Sequence, residues 1–287
     1  NKLRIRRSDW IMEKLKLNET PKRTSKNYGI NNIKLEKSEK MKIKVLGSAS
    51  PYSTNDRNGI GYLIESNNYR IMLDAGSGIS KNLDMNKDLE NLTIIISHLH
   101  RDHYAELLPL SYATYIMSKN NLLKNKIKVY IPDDIDSIDK AYVLSLEEDS
   151  YFEMIEYSKE DILSVGSMKV GFAESLHGVK TYSIKVSEND KSVCYTSDTG
   201  YANDNIIPFA NNTELLICET TYLKDQTKPK DVHLTTIEAG NLALKSNVKK
   251  LMINHFWPSI SKEKYLEEVK NIFDNVIVAE EKEEFEI

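Results

Sequence analysis

Four side chains of the type that binds metal ions stand within six residues, directly after an apolar segment. The apolar segment is Leu92-Thr93-Ile94-Ile95-Ile96, and the cluster that follows is His98-Leu99-His100-Arg101-Asp102-His103. A short apolar run rich in β-branched residues predicts a buried strand. Such a strand can end in a rigid loop that holds imidazole and carboxylate ligands around a divalent ion. The fold must therefore place the end of a buried strand at a metal site.

The chain has three further histidines, and each of them stands alone, as His177, His233 and His255. Isolated histidines are usually surface or core residues, but a cluster as dense as residues 98–103 is hard to explain by packing. Imidazole-rich sites favour zinc, and manganese or iron also occupies sites that combine imidazole with carboxylate. The sequence therefore predicts a divalent metal centre, and the ligand types do not decide between these metals.

Composition is typical of a soluble enzyme. The chain has 287 residues, of which 40% are hydrophobic and 29% are charged, and this suits one large domain or one domain with an appendage. No apolar run approaches the roughly 20 residues of a membrane span, and the charged N-terminus lacks the apolar region of a signal peptide. Cys194 and Cys218 lie in apolar stretches, which favours free core thiols over a disulfide framework. We expect a cytoplasmic protein without a membrane partner.

Charge divides the sequence near residue 40. Residues 1–40 hold 12 basic and 5 acidic side chains, whereas the remaining residues hold 27 basic and 38 acidic ones. The first segment has little apolar periodicity and is interpreted as a basic extension or linker, followed by a catalytic domain at residues 41–287. Such an arm can contact nucleic acid or the acidic body of a second subunit. A solvated tail, or residues upstream of a natural start at Met41, are the alternatives.

From Met41 onward the pattern alternates between strands and helices. Amphipathic spacing predicts a helix over residues 104–119, with Leu107, Leu108, Tyr112, Tyr115 and Ile116 at helical spacing. Thr235-Thr236-Ile237-Glu238 has the form of a capping box that opens a second helix, and Ser261 is a candidate N-cap for a last one. This succession indicates a layered α/β architecture. Strands are predicted at residues 41–47, 61–65, 70–74, 92–96, 127–131, 168–173, 181–186, 192–196, 215–218 and 251–254.

The motif His98-x-His100-x-Asp102-His103 resembles the signature of the metallo-β-lactamase superfamily, and the resemblance continues in order along nearly all of residues 41–287. It implies an αββα sandwich, in which two mixed sheets face each other and helices cover their outer faces. The further matching segments are Leu73-Asp74-Ala75-Gly76, the isolated His177, Tyr195-Thr196-Ser197-Asp198-Thr199-Gly200 and Met252-Ile253-Asn254-His255.

The same resemblance implies a two-metal site. Asp198 is expected to bridge the ions, and Asp74 is expected to brace the metal loop from behind. By analogy with the family, the first ion is held by His98, His100 and His177, and the second by Asp102, His103 and His255.

Glu219-Thr220-Thr221-Tyr222 followed by His233-Leu234-Thr235-Thr236 resembles the paired glutamate and histidine of ribonuclease Z and related phosphodiesterases. The resemblance implies that a hydroxide between the two ions attacks phosphorus, while His233, oriented by Glu219, protonates the leaving oxygen. This is sensible chemistry because an alkoxide is a poor leaving group, and because a carboxylate on one ring nitrogen fixes the tautomer of the imidazole.

One difference from ribonuclease Z narrows the range of expected substrates. Relatives that mature tRNA usually carry a long inserted arm between the third histidine and the bridging aspartate, but only 21 positions separate His177 from Asp198 here. We therefore expect a homodimeric phosphodiesterase for a small substrate, a cyclic nucleotide in particular. A ribonuclease Z-type enzyme that uses its basic N-terminal arm is the alternative, and a non-catalytic, metal-dependent ligand-binding protein is a further one.

Four other residues are weaker candidates for substrate contacts. Phe256 and Trp257 follow His255 and can stack on a base, although core packing explains them equally well. Arg57 can contact a phosphate and Tyr201 can donate a hydrogen bond to substrate, but a solvated loop and a structural tyrosine are the competing interpretations.

Overall fold

The computed structural model describes residues 40–134, 137–148, 150–228 and 230–287. The predicted basic extension lies outside these residues except for Lys40, whose ammonium group is 3.1 Å from Glu286. The division of the chain at residue 40 therefore stays a prediction. Within the described residues, no helix combines the length and the apolar character that crossing a membrane requires.

The first sheet is built mainly from the N-terminal half of the described chain. Its seven strands run in the order β14-β1-β2-β3-β4-β5-β6, antiparallel from β14 to β3 and parallel from β3 to β6. The strands are β1 Lys42–Gly47, β2 Gly61–Ser66, β3 Tyr69–Leu73, β4 Leu92–Ile95, β5 Ile127–Pro132, β6 Phe152–Tyr157 and β14 Glu284–Glu286.

The second sheet repeats this plan with the following part of the chain. Its order is β13-β12-β11-β10-β9-β8-β7, antiparallel from β7 to β10 and parallel from β10 to β13. The strands are β7 Leu163–Val165, β8 Met168–Glu174, β9 Tyr182–Glu188, β10 Lys191–Tyr195, β11 Leu215–Glu219, β12 Lys250–Asn254 and β13 Val276–Val278.

Helices cover the outer face of each sheet, and a central core fills the space between the sheets. Alternation along β4 and the residue after it shows the layering: Ile95 joins the central core, whereas Ile94 and Ile96 join the cluster beneath the helices. This is the expected αββα sandwich. The helices are α1 Arg101–Tyr104, α2 Leu107–Lys119, α3 Ile138–Ser145, α4 Ile206–Ala210, α5 Thr236–Lys245 and α6 Lys262–Lys270, and a short 3-10 helix spans Ile79–Asn82.

The helix predicted over residues 104–119 is wrong at its start and in its buried face. The backbone of Glu106 donates to the carbonyl of Ala75, and this tether separates α1 from α2. Ser111 and Thr114 are buried on α2, and their hydroxyls donate to carbonyls of the helix itself. Of the apolar residues that predicted this helix, Leu107 is buried, whereas Leu108, Tyr112 and Ile116 are exposed.

Two local signals of the second half are confirmed, and Ser261 stands at the N-cap position of α6 without a capping hydrogen bond to its side chain. Thr235 accepts from the backbone of Glu238, whose carboxylate accepts from the backbone of Thr235, so that the capping box opens α5. Cys194 and Cys218 are free and buried in β10 and β11, as expected.

Candidate metal centre

The side chains predicted to bind metal meet at one edge of the sandwich. The carboxyl ends of parallel strands lie at the same edge of a sheet, and loops that follow such strands are where α/β folds carry their sites. In the first sheet the site loops follow β3 and β4, and in the second they follow β8, β10 and β12. Residues far apart in sequence are thereby brought within contact distance.

The first metal-binding group contains His98, His100, His177 and Asp198, whose ligand atoms all lie within 4.8 Å of one another. Nδ1 of His100 is 3.1 Å from Nε2 of His98 and 3.1 Å from Nε2 of His177. Oδ2 of Asp198 lies 3.7 Å from each of those two Nε2 atoms. The four atoms converge on one point, as the ligands of a single ion do.

Neighbouring hydrogen bonds orient two of these imidazoles. Nδ1 of His177 lies 2.9 Å from the carbonyl of Val232, which can only accept, so the proton is on Nδ1 and Nε2 is left with a lone pair. Nδ1 of His98 lies 3.1 Å from Oγ of Ser97 and 3.4 Å from Oγ of Ser197. Nε2 of each ring therefore faces the centre of the group.

The second group contains Asp102, His103 and His255, and the other oxygen of Asp198 faces it. Oδ1 of Asp198 lies 3.0 Å from Nε2 of His255 and 3.4 Å from Nε2 of His103. All three of these atoms are buried, and none has a hydrogen-bond partner among the described residues. Buried polar atoms without partners are costly, and a cation among them removes that cost. The donor set thus fits a metal ion, with Asp198 placed between the two groups.

Asp74 braces this arrangement from within the core. Its Oδ1 accepts from the backbone of Ser97 at 2.7 Å, and its Oδ2 accepts from the hydroxyls of Ser97 and Tyr195 at 2.8 and 2.7 Å. Nδ1 of His103 is 2.7 Å from the same Oδ2. The residue is fully buried with a φ of 58°, a left-handed conformation that aspartate tolerates better than most residues. Asp74 therefore fixes both the start of the metal loop and the ring of His103.

Burial favours the neutral form of the histidines in the first group. It lowers the pKa of His98 well below its ordinary value, with His103 adding to the shift, and it also lowers the pKa values of His100 and His177. These rings are therefore neutral at pH 7, the form that binds metals. Burial alone would raise the pKa of Asp198, but the neighbouring His255 and His103 hold it well below its ordinary value.

Glu219 and His233 stand beside the two groups. Nδ1 of His233 lies 3.0 Å from Oε1 of Glu219, which also accepts from the backbone of Thr199 at 2.9 Å. The other oxygen accepts from the hydroxyl of Thr221 at 2.7 Å and the backbone of Leu234 at 3.2 Å. Burial by itself lowers the pKa of His233, but the Glu219 carboxylate outweighs it and raises this pKa to about 9.

A cleft of about 540 Å³ opens beside the first group, with His100 and His177 in its wall. Its apolar lining includes Leu99 and Val179, and its charged lining includes Asp139 and Glu174 together with Lys180. The Asp139 carboxylate is held by the hydroxyl of Tyr104 at 2.5 Å and by Arg101 at 3.0 Å. The cleft gives a ligand a direct path to the predicted first metal.

The four weaker candidates lie in different surroundings. Phe256 is fully buried and packs on Tyr265 in the core, so the expectation that it stacks on a base is wrong. Trp257 is 39% exposed and stays a candidate. The guanidinium of Arg57 donates to the carbonyl of Ile260, and the hydroxyl of Tyr201 accepts from Lys245.

Three contacts of the site were not predicted from the sequence. Ser50 donates to Oδ2 of Asp102 at 2.8 Å, and Thr221 lies 2.8 Å from Nδ1 of His255. The ammonium group of Lys228 donates to the carbonyl of His233 at 3.2 Å. Thr221 belongs to the segment Glu219-Thr220-Thr221-Tyr222 that resembles ribonuclease Z, so the sequence pointed to its surroundings. No sequence pattern linked Ser50 to Asp102, which lie 52 positions apart.

Comparison with known proteins identifies relatives along most of the chain. The family model described as "Anti-Pycsar protein Apyc1" matches residues 41–272. The probable metallo-hydrolase YhfI of Bacillus subtilis is 27% identical over 239 residues, which cover 83% of this chain and 96% of YhfI. A ribonuclease Z of Prochlorococcus marinus is 27% identical over 314 positions, which cover 84% of this chain and 98% of that enzyme.

Solved structures confirm the metallo-β-lactamase fold. The crystal structure of YhfI superposes with a TM-score of 0.78 at 26% identity and covers 86% of this chain and 100% of that one. The short form of human tRNase Z superposes with a TM-score of 0.68 at 18% identity and covers 86% of this chain and 99% of that one. At this lower identity the likeness concerns the fold alone.

Proposed function

The chain belongs to the family of the anti-Pycsar protein Apyc1, and from this premise we propose that it hydrolyses a small phosphodiester, a cyclic nucleotide in particular. That it is a metal-dependent hydrolase of the metallo-β-lactamase fold follows from its relatives and from its histidine and aspartate groups. The choice of a phosphodiester, the use of two metal ions and the role of each residue are the proposal.

The observation that carries the proposal is the position of His233 against Glu219 and beside both metal-binding groups. The ring of His233 lies over that of His255, with 5.3 Å between centroids and 28° between planes, and its centroid is 5.0 Å from that of His177. A protonated imidazole at this place is suited to donate to a departing ribose oxygen, which is a poor leaving group without a proton. A thioester or a lactam has less need of such a donor.

The remaining site residues form two proposed sets of metal ligands. His98, His100 and His177 would hold one divalent ion, Asp102, His103 and His255 would hold the other, and Asp198 would bridge them. When bound, such ions stabilise negative charge on phosphoryl oxygens and make water a better nucleophile. Zinc suits the imidazole-rich set, with manganese or iron as alternatives.

Three observations favour a small substrate over a long nucleic acid. The chain between His177 and Asp198 forms only β9, β10 and the short turn between them, which leaves no room for an inserted arm. In addition, the match to ribonuclease Z extends over 314 positions, more than the 287 residues of this chain, so that enzyme carries insertions that this chain lacks. Asp139 and Glu174 line the cleft beside the first metal-binding group and oppose the approach of a polyanion.

The proposal is tested with a panel of substrates given to the zinc-loaded full chain. The panel contains cyclic mononucleotides, linear dinucleotides, a precursor tRNA and one thioester, and His233→Ala and His100→Ala serve as variants. We expect opening of a cyclic nucleotide that both variants lose, with the metal content of His233→Ala unchanged. Thioester turnover without phosphodiester cleavage would overturn the assignment, as would cyclic-nucleotide cleavage at an undiminished rate by His233→Ala.

A ribonuclease Z-type activity is the second candidate, and it is supported by the match to ribonuclease Z along most of the chain. It needs a surface that grips tRNA, for which the basic residues 1–40 are proposed. Cleavage of the precursor tRNA that disappears when residues 1–40 are deleted would establish it. A metal-dependent binding protein would instead retain cyclic nucleotides without turnover. Homodimer formation is also proposed, and sedimentation of the full chain tests it.

A further inference from the structure

The hydroxyl of Thr221 lies between two groups that have separate roles in the proposed reaction. It donates to Oε2 of Glu219 at 2.7 Å, and it lies 2.8 Å from Nδ1 of His255. All three residues are buried, with exposed fractions of 6% for Thr221, 1% for Glu219 and 3% for His255. One hydroxyl thus connects the carboxylate that holds His233 to a histidine of the second metal-binding group.

The direction of these hydrogen bonds is fixed by which groups can donate. A carboxylate only accepts, and the oxygens of Glu219 already face donors from Thr199, His233 and Leu234. The single proton of the Thr221 hydroxyl therefore points to Glu219, and its oxygen can only accept from His255. The proton of a neutral His255 ring must then be on Nδ1, which leaves the lone pair of Nε2 directed at the second group.

Thr221 is held in place independently of this hydroxyl. Its carbonyl accepts from the hydroxyl of Tyr265 at 3.1 Å, and the preceding Thr220 donates its backbone N–H to the carbonyl of Asn254 at 2.9 Å. His255, in contrast, has a φ of 64°, a conformation that costs energy for a non-glycine residue and persists where contacts enforce it. The hydroxyl of Thr221 is such a contact at the ring of His255.

We propose that Thr221 is a positioning residue through which Glu219 sets the tautomer of His255 and so the affinity of the second metal-binding group. Glu219 then organises two histidines at once, His233 directly and His255 through one hydroxyl. Only the proton-donor role of His233 in this scheme rests on the proposed function. The effect of Thr221 on metal affinity does not depend on which ester is cleaved.

The test compares Thr221→Val, which keeps the shape and removes the hydroxyl, with Thr221→Ser, which keeps the hydroxyl. Thr220→Val is the matched control because the hydroxyl of Thr220 donates to the carbonyl of Cys218 and, among the described residues, bonds to no histidine. Zinc is titrated into the full chain by calorimetry, metal content is measured after dialysis against a graded chelator, and ¹⁵N NMR of the histidine rings reports the tautomer of His255.

We expect Thr221→Val to bind zinc at the second metal-binding group about 10- to 100-fold more weakly, the usual effect of losing a partner behind a metal ligand. Thr221→Ser and Thr220→Val should bind it like the unaltered chain. Thr221→Ala should match Thr221→Val, and it replaces that variant if the valine does not fold.

Two zinc ions bound with unaltered affinity by both hydroxyl-free variants would overturn the inference. An unchanged ¹⁵N pattern of His255 would do the same. Because zinc alone is the probe, either failure leaves the proposed phosphodiesterase activity untouched, and a failure of that activity leaves the result for Thr221 intact.

Discussion

Nδ1 of His233 lies 3.0 Å from Oε1 of Glu219, and this contact reverses the effect of burial on the imidazole. A histidine side chain that is only 19% exposed would ordinarily lose its proton more easily, but the adjacent carboxylate raises its pKa to about 9. The ring is therefore protonated at neutral pH, as a proton donor must be. It also faces the two groups that are proposed to bind metal.

The first prediction concerns the pH dependence of the reaction in Glu219→Gln. In the unaltered chain the donor form of His233 is present below its pKa and is lost as pH rises through it. Without the carboxylate, burial opposes protonation and the pKa falls from about 9 toward the ordinary histidine value, so the alkaline decline of kcat moves to lower pH by about 2 units. Profiles of kcat against pH measure this shift. A variant with an unmoved alkaline limb would contradict the role of the pair.

The second prediction concerns Asp74→Asn. The amide replaces an acceptor by a donor in a fully buried place where both oxygens already face donors, including Nδ1 of His103. Loss of charged, buried hydrogen bonds should lower the free energy of unfolding of the metal-free protein by about 3 kcal/mol. Urea denaturation measures it. Asp190→Asn, in an exposed turn, is the control and should leave stability unchanged.

The third prediction concerns removal of the metal. Nε2 of His103, Nε2 of His255 and Oδ1 of Asp198 are buried, and within the described part of the chain none of them has a hydrogen-bond partner. Zinc at a thousandfold excess over its Kd should stabilise the fold by about 4 kcal/mol, which raises Tm by roughly 10 °C for a domain of this size. Differential scanning calorimetry with zinc and with a chelator tests this. His255→Ala should lose most of the difference.

The fourth prediction concerns Lys228, which fastens the loop that carries His233. Its ammonium group contacts both carboxylate oxygens of Glu238, at 2.8 and 2.7 Å, and Oδ1 of Asp231 at 2.9 Å. Lys228→Met should loosen this loop and lower kcat by about tenfold, because small displacements of a proton donor are costly. Steady-state kinetics on the cleaved ester measure the effect. Lys230→Met, at an exposed position, should leave kcat unchanged, and equal losses in both variants would refute the idea.

Much of the fold could be predicted because its signals are local. The strands around the site, from β1 to β4 and from β8 to β12, carry either alternating or continuous apolar residues. Both patterns are strong enough to predict a strand. The strands that were missed, β6, β7, β13 and β14, are the four edge strands of the two sheets, and on β14 the polar residues Glu284 and Glu286 weaken the pattern. The apolar residues chosen on α2 were only partly the buried ones, because the polar residues Ser111 and Thr114 are buried together with Leu107.

The sequence determined the ligand types and the order in which they appear, because a strand followed by a histidine-rich loop is a local feature of the chain. It did not determine which nitrogen of each histidine is available for metal, or which aromatic residue after His255 is buried. Those properties depend on contacts across long sequence separations, such as Val232 with His177, Thr221 with His255, and Asp74 with His103. Only the packing of the two sheets, which brings the ends of distant strands to one edge, decided them.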